Sequence, residues 1–236
     1  MQMALQGAEH GTVVVAGQQA HGRGRGEKQF SSPPGGLYMS VVLRPDLPAD
    51  RLPFISLAAG LACATAIEEQ ADLTVALKWP NDLYLQGRKL GGILAQTGPY
   101  SPVAHTIPFV VLGIGINVNT RRETFPPELH NIVTSLYDAR PGQYDIDTLL
   151  TAIHAHLVAL VPSLRADVAG VLSSWRNRDF LLDREIAWQD VRGKTMVGRG
   201  VGIRSDGSYQ LQTADGALHS ILAGEVTLGP VGGQRI

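Results

Sequence analysis

Two lysines, a carboxylate and an amide lie close together in segment 78–94, KWPNDLYLQGRKLGGIL. They are Lys78, Asn81, Asp82 and Lys89, and a pair of glycines follows them. Lysine attracts phosphate and carboxylate oxygens, and glycine lets a ligand approach a strand closely. The segment therefore predicts a site for a small anionic molecule. The competing interpretation is a surface hairpin with solvated charges, in which the glycines mark only a bulge.

A second group of cations lies in loop 18–30, QQAHGRGRGEKQF, which alternates glycine with Arg23 and Arg25. Arginine presents forked donors to phosphate or carboxylate, and glycines let a loop fold over a ligand. An RG-type nucleic-acid tether and simple disorder are the alternatives. If the loop covers a site, we expect residues 22–26 to be mobile without ligand.

Strands and one helix must position these cations. Pro80 lacks a backbone N–H donor, so the preceding strand ends there. Gly87 can take the positive φ of a turn, and the return strand begins after it at Lys89. A helix is expected from Leu52 to Gln70, with Asp50 as its cap. The pattern predicts strands at Thr12–Ala16 (buried), Leu37–Leu43, Leu73–Lys78, Leu83–Leu85 and within Thr106–Asn119.

The sequence pattern changes at Asp183, from helical periodicity to short strands separated by turns. Before it, a loop over 121–144 precedes amphipathic helices at Ile146–Leu160 and Asp167–Arg176. After it, Asp206-Gly207 and Asp215-Gly216 are hairpin signals. The strands they connect are expected at 185–188, 195–203, 209–212 and 218–221. This pattern predicts a small all-β module, suited to an SH3-like barrel.

Composition narrows the class of protein. The chain has 236 residues, 44% hydrophobic and 17% charged, with a net charge of −1. This balance is typical of a globular enzyme and argues against a general nucleic-acid or membrane surface. The apolar runs are expected to be too short to cross a bilayer. Cys63 is the single cysteine, which excludes an internal disulfide and fits a cytoplasmic protein.

The two charged segments resemble the signatures of biotin–protein ligases. KWPNDL, a turn and KLGGIL match one signature, and the GRGR of residues 22–25 matches the loop that lies over biotin and the adenylate. GIGINVN at 113–119 and Gly224-Glu225-Val226 also resemble family elements. The resemblance implies an α+β fold, a mixed β-sheet flanked by helices as in class II synthetase-like biotin and lipoate ligases. It further implies a catalytic domain over 1–181 and an SH3-like domain over 182–236.

The resemblance also implies an activity. These ligases join biotin to AMP from ATP and pass biotin to one lysine of the biotin carboxyl carrier protein of acetyl-CoA carboxylase. Lys89, Arg25 and Asp82 would be catalytic, and Mg²⁺ would accompany ATP near Asn81 and Asp82. The residues implied to bind biotin are Gln18, Gly22, Arg23, Gly24, Arg25, Lys89, Gly91 and Gly92. Those implied to bind ATP are Arg25, Lys78, Trp79, Asn81, Asp82 and Asn117, with Lys78 pairing locally with Asp82.

Some features depart from the family pattern. His21 is inserted before the GRGR motif, so Arg25 matches the adenylate-holding arginine only if the alignment has a gap, and Gly24 matches it otherwise. Gln29 stands where tryptophan is common. The family's Ser/Thr-Thr-Asn segment and a DNA-binding domain do not precede Thr12, so we expect no operator binding. A catalytically impaired biotin-binding homologue and a lipoate or octanoyl transferase are the alternatives. A homodimer through a sheet edge is plausible.

Overall fold

Two antiparallel β-sheets and a layer of helices make up the chain, in a computed structural model that describes residues 1–26, 28–100, 107–190, 192–222 and 224–229. The larger sheet has the strand order β1-β2-β6-β5-β4-β3. Its strands are β1 (Val13–Ala16), β2 (Leu37–Leu43), β3 (Ala76–Lys78), β4 (Asp82–Leu85), β5 (Arg88–Thr97) and β6 (Val110–Ile116). Parallel pairing to this sheet occurs in isolated bridges, from Asp179 to Leu77 and from Val133 to Lys89. The α+β class is thus confirmed, with sheets that are antiparallel along their named strands.

Five α-helices accompany the sheets in the described part of the chain: α1 (Gln2–Leu5), α2 (Phe54–Ala71), α3 (Leu136–Ala139), α4 (Ile146–Ser163) and α5 (Val168–Arg176). Helix α2 is rich in small residues, and a Cβ on Gly60 would lie 3.4 Å from the Leu77 side chain, so the helix lies close against the sheet. The predicted Asp50 cap is wrong. Helix α2 begins after Pro53 without a side-chain cap, and Asp50 lies in the 3-10 turn Ala49–Arg51.

Helix α4 packs one face into the core. Asp145 caps its N-terminus by accepting from the backbone N–H groups of residues 147 and 148. Leu149, Ile153 and Leu157 are fully buried at the spacing of one helical face. By length and composition alone the helix would be sufficient to cross a membrane, contrary to the sequence expectation. Its capped start and its packing against the core are those of an ordinary outer helix.

Strand β1 differs from the prediction of a buried strand. It pairs with β2 and lies at the edge of the sheet. Val14 and Val15 are 44% and 52% exposed. Hydrophobic, β-branched composition predicts a strand correctly, but it does not tell an edge strand from a central one. The strand predicted within 106–119 is β6. Thr106, the first residue of that predicted range, lies outside the described residues.

The second sheet has the order β10-β9-β8-β7-β11. Its strands are β7 (Glu185–Gln189), β8 (Thr195–Ile203), β9 (Tyr209–Gln212), β10 (Leu218–Ile221) and β11 (Glu225–Leu228). Gly207 and Gly216 take positive φ at the two predicted hairpin turns. Its buried residues belong to the same hydrophobic cluster as the larger sheet. The division at 181/182 and the SH3-like topology stay predictions.

Candidate active site

The floor of the candidate site is one face of the larger sheet. Asp82 on β4 lies opposite Lys78 on β3 and opposite Gly92 on β5, and Gly92 lies opposite Gly115 on β6. Residues paired across antiparallel strands share a face of the sheet. The row therefore presents two charged side chains beside a strip of bare backbone. All four residues line one cavity of about 960 Å³, a size that suits a cofactor or small-molecule site.

A β-bulge brings Lys89 to the same face. The register between β4 and β5 shifts between Leu83 and Tyr84, so that Lys89 lies opposite Tyr84 and Leu90 is the extra residue. Bulges of this kind re-aim side chains next to active sites. As a result the Lys89 Nζ lies 2.7 Å from Asp82 Oδ1 in an ion pair. The predicted pairing of Asp82 with Lys78 is therefore replaced by pairing with Lys89.

The backbone of Lys89 is held on both sides. Its N–H donates to the carbonyl of Ile132 at 2.9 Å, and its carbonyl accepts from the N–H of Thr134 at 2.8 Å. Asn117 fastens this clamp, because its Nδ2 donates to the Thr134 carbonyl at 2.9 Å. Asn117 is 2% exposed and lines the cavity. Its Oδ1 accepts no hydrogen bond among the described residues, so this oxygen is an acceptor available to a ligand.

Lys78 is the buried cation of the site, at 4% exposure. Burial lowers the pKa of Lys78 to about 8, Asp82 acts to raise it, and Lys89 acts to lower it. Its Nζ lies 5.6 Å from the centre of the Tyr84 ring. A cation desolvated to this degree interacts strongly with any anion that enters the cavity.

The arginine loop forms a short ribbon over the floor. The N–H of Gln19 donates to the carbonyl of Ser32, and the N–H of Phe30 donates to the carbonyl of Gly22. Arg25 lies near its tip and lines the same cavity as Lys89. Desolvation lowers the pKa of Arg25, while the charge of Asp82 acts to raise it. Arg23 and Gly24 line the cavity as well, so the alignment with a gap, which makes Arg25 the adenylate-holding arginine, stays a prediction. Mobility of the loop stays a prediction.

Trp79 and Asn81 make contacts that sequence reasoning did not foresee. The Trp79 indole Nε1 donates to the carbonyl of Gly207 at 3.1 Å, and its ring lies 5.9 Å from that of Tyr209. The Asn81 Nδ2 donates to the carbonyl of Ile93 at 2.6 Å. Both side chains line the cavity. Their polar groups nevertheless hold the hairpin to β5 and to the second sheet.

Three predicted residues lie outside the cavity lining: Gln18, Gly22 and Gly91. Gln18 is exposed, and the neighbouring Gln19 lines the cavity. Gly91 points away from the floor because alternate residues of a strand face opposite sides. A Cβ there would lie 2.4 Å from the carbonyl oxygen of Gly115, so this glycine permits close strand pairing. The predicted residues that do line the cavity are Arg23, Gly24, Arg25, Lys78, Trp79, Asn81, Asp82, Lys89, Gly92 and Asn117.

The cavity lining also contains residues that were not predicted, among them Gly115, Phe30, Lys28 and Glu225. A Cβ on Gly115 would lie 2.6 Å from the Phe30 ring, so Phe30 lies against the bare floor. The spacing of Gly113 and Gly115 on one strand is a signal that could have identified this floor. Lys28 and Glu225 form an ion pair between the loop and β11, which nothing local in the sequence signals.

The charged residues of the site fit an anionic ligand better than a protein-built metal centre. Within the part of the chain that the structure describes, no group of three or more His, Cys, Asp or Glu side chains could hold a metal ion. Asp82 already pairs with Lys89. The cations that line this cavity include Arg23, Arg25, Lys28, Lys78 and Lys89.

Known proteins share this fold and these segments. Residues 1–117 match the model of the Biotin/lipoate A/B protein ligase family. The chain is 31% identical over 234 residues to the bifunctional ligase/repressor BirA of Bacillus subtilis, covering 97% of this chain and 69% of that protein. It is 30% identical to the biotin–[acetyl-CoA-carboxylase] ligase of Mycobacterium tuberculosis, covering 94% of this chain and 81% of that protein.

Among solved structures, the biotin protein ligase of Aquifex aeolicus in complex with biotin and ATP matches with a TM-score of 0.81 and 28% identity, covering 97% of this chain and 94% of that one. The sequence resemblance, the two-sheet fold and alignment over nearly the whole chain agree with one another. The chain belongs to the Biotin/lipoate A/B protein ligase family.

Proposed function

We propose that this chain is a biotin–[acetyl-CoA-carboxylase] ligase, which activates biotin with ATP and transfers it to a lysine of a biotin carboxyl carrier protein. The observation that carries the proposal is the convergence of Arg25, Lys78 and Lys89 on one cavity. The Mycobacterium tuberculosis relative is named as a biotin–[acetyl-CoA-carboxylase] ligase, and the matching Aquifex aeolicus structure holds biotin and ATP. These names favour biotin over lipoate as the substrate.

In the first step a carboxylate oxygen of biotin attacks the α-phosphorus of ATP. A phosphorus–oxygen bond forms, and pyrophosphate leaves with the electrons of the broken bond. The attack brings two anions together, so the barrier falls when fixed cations neutralise the developing charge. We assign Lys89, whose backbone is clamped, to the biotin carboxylate, and we assign Lys78 and Arg25, which line the same cavity, to the phosphates.

In the second step the amine of the carrier lysine attacks the acyl carbon of the adenylate. A carbon–nitrogen bond forms, AMP leaves, and the new ammonium loses a proton. Asp82 is the carboxylate of the sheet floor in this region, and we assign it as the acceptor of that proton. When Lys89 turns to the ligand, its ion pair with Asp82 at 2.7 Å opens and leaves that carboxylate available.

The remaining residues bind and orient the substrates. Gly92 and Gly115 leave a bare floor on which the biotin ring can lie, with Phe30 beside it. Asn117 Oδ1 offers an acceptor to the nucleotide. Since the described residues form no cluster for a metal ion, we propose that Mg²⁺ arrives as part of the substrate Mg–ATP, held by the phosphates with Asp82 nearby.

Pyrophosphate release by the purified protein with biotin and ATP tests the first step, and transfer of radiolabelled biotin to a carrier domain tests the second. Lys89→Ala should lose at least about 100-fold in kcat/KM, because it removes charge stabilisation of the transition state. Arg165→Ala, which breaks an exposed ion pair with Asp46 outside the cavity, is the matched control and should retain activity. Biotin binding without pyrophosphate release would instead identify an impaired homologue. Preferential competition by lipoate would identify a lipoate or octanoyl transferase.

We also propose a cytoplasmic location and dimerisation through a sheet edge. Edge strand β1 supports dimerisation, since among the described strands it pairs only with β2, and its Val14 and Val15 are exposed. Light scattering of the eluting protein tests dimerisation.

A further inference from the structure

An ion pair joins the arginine loop to the second sheet across 197 residues of sequence. The Lys28 Nζ contacts Glu225 Oε1, and the side chains are 55% and 33% exposed. Lys28 belongs to the loop that carries Arg25, whereas Glu225 is the first residue of β11. Both residues line the main cavity. The contact therefore lies at the rim of the proposed adenylate site.

Lys28 closes the tip of the loop around Arg25. The N–H of Gly24 donates to the carbonyl of Lys28 at 2.7 Å, and the N–H of Lys28 donates to the carbonyl of Arg25 at 3.3 Å. A Cβ on Gly24 would lie 3.3 Å from the Lys28 Cβ, so the two sides of the tip are in close contact. The position of Lys28 therefore sets the position of Arg25.

Glu225 is a firm anchor by comparison. Strand β11 pairs with β7, with Glu225 opposite Gln189, and the next residue, Val226, is 3% exposed in the core. Among the described residues of the loop tip, the backbone hydrogen bonds run within the loop. An anchor in a packed sheet restrains a loop more than contacts inside the loop do.

We propose that Lys28 is a positioning residue, whose ion pair with Glu225 latches the arginine loop onto the second sheet and keeps Arg25 over the bound adenylate until the carrier lysine arrives. The proposal rests on the proposed function, since it assigns Lys28 a part in retaining the intermediate of that reaction. A retained adenylate is protected from water, which otherwise hydrolyses a reactive mixed anhydride.

The exposure of the pair limits the size of the effect. Exposed ion pairs contribute modestly and are screened by salt. We therefore expect Lys28→Glu, which replaces attraction by repulsion, to speed loss of the adenylate by about three- to tenfold. The charge-swapped protein K28E/E225K should return to within about twofold of wild type. Restoration by an exchange of charges is a result that general disruption of the loop does not produce.

Two readouts test the latch. In the first, the protein is loaded with radiolabelled biotin and ATP, and release of labelled adenylate is followed by rapid filtration at low and high salt. Wild type should lose adenylate faster at high salt, with a smaller salt effect in Lys28→Gln. Arg165→Glu reverses a charge in the exposed pair with Asp46, which lies outside the cavity, and should leave the release rate unchanged.

In the second readout, the protein without ligand is digested briefly with trypsin, and cleavage after Arg23 and Arg25 is measured by mass spectrometry. K28E should be cut faster there, and K28E/E225K should be cut at the wild-type rate. Equal cleavage in all variants, or failure of the charge swap to restore it, overturns the latch. A wild type that forms no adenylate overturns the proposed function instead, and the digestion still decides the latch.

Discussion

Lys78 gives the sharpest test of the site. Burial disfavours its charged form, whereas the proposed binding of phosphate requires that charge. Lys78 is 4% exposed, and burial lowers its pKa to about 8. The difference from the ordinary lysine value of 10.5 corresponds to roughly 3 kcal/mol. At pH 7 the folded protein holds this ammonium charged against that cost, and ATP phosphates would be the ligands that make use of the charge.

We therefore expect Lys78→Met to raise the free energy of unfolding at pH 7, by at most about 3 kcal/mol, since methionine keeps an apolar stem and removes the charge. The pKa of Lys78 is lower in the folded than in the unfolded chain, so the unfolded chain binds more protons between about pH 8 and 10.5. Wild-type stability rises with pH in that window relative to the variant. The advantage of K78M is greatest below pH 8 and disappears by about pH 10.5.

Urea unfolding of both proteins at pH 7 and pH 10, followed by tryptophan fluorescence, measures this difference. The same variant should lose about 10- to 100-fold in kcat/KM for ATP, the worth of a charge-assisted hydrogen bond. In wild type, kcat/KM for ATP should fall above about pH 8. Lys78→Arg keeps its charge at alkaline pH, so it should lack this fall. A K78M protein less stable than wild type at pH 7, or a flat wild-type profile across pH 7–9.5, contradicts this account.

Three further changes test the elements around the site. Burial raises the pKa of the Asp179 carboxyl to about 6. The contribution of this group to the free energy of unfolding is therefore lost as pH rises from about 3.8 to 6. Asp179→Asn should raise the urea midpoint at pH 7 and leave it unchanged or lower it at pH 4. Gly115→Ala would place a Cβ 2.6 Å from the Phe30 ring, and thermal unfolding should show a loss of about 1–3 kcal/mol together with weaker biotin binding. Trp79→Phe removes the hydrogen bond to the Gly207 carbonyl and should cost about 0.5–1.5 kcal/mol in urea unfolding, while an unchanged midpoint would show that the indole bond is not needed.

Local patterns predicted the elements well. Strand β2 was predicted with its observed bounds, Leu37–Leu43, and strands β8, β9 and β10 agree equally well. Each depends on alternation or on an Asp-Gly turn, which are properties of neighbouring residues. The edge position of β1 depends on which strands pair across the whole chain. Exposure of Val14 and Val15 was therefore not predictable from their own segment.

Most of the predicted residues line the candidate site, but the predicted ion pair within it was wrong. Asp82 was expected to pair with Lys78, its cross-strand neighbour, yet a single extra residue at Leu90 gives the pairing to Lys89. Gly91 and Gly92 were treated alike, although strand alternation sends only Gly92 to the cavity. Motif resemblance identifies which residues belong together. It does not carry the bulges and registers that decide which way each side chain points.

The second sheet contacts both charged segments of the candidate site. Trp79, from the lysine hairpin, donates to the Gly207 carbonyl in the turn between β8 and β9. Lys28, from the arginine loop, pairs with Glu225 on β11. Each charged segment of the cavity thus has its own attachment to this sheet, one in the turn between β8 and β9 and the other on β11. A packed sheet that contacts both segments limits how far they can move apart. We infer that the second sheet acts as a brace that holds Arg25 and Lys89 over a common cavity, and not as an appended binding module.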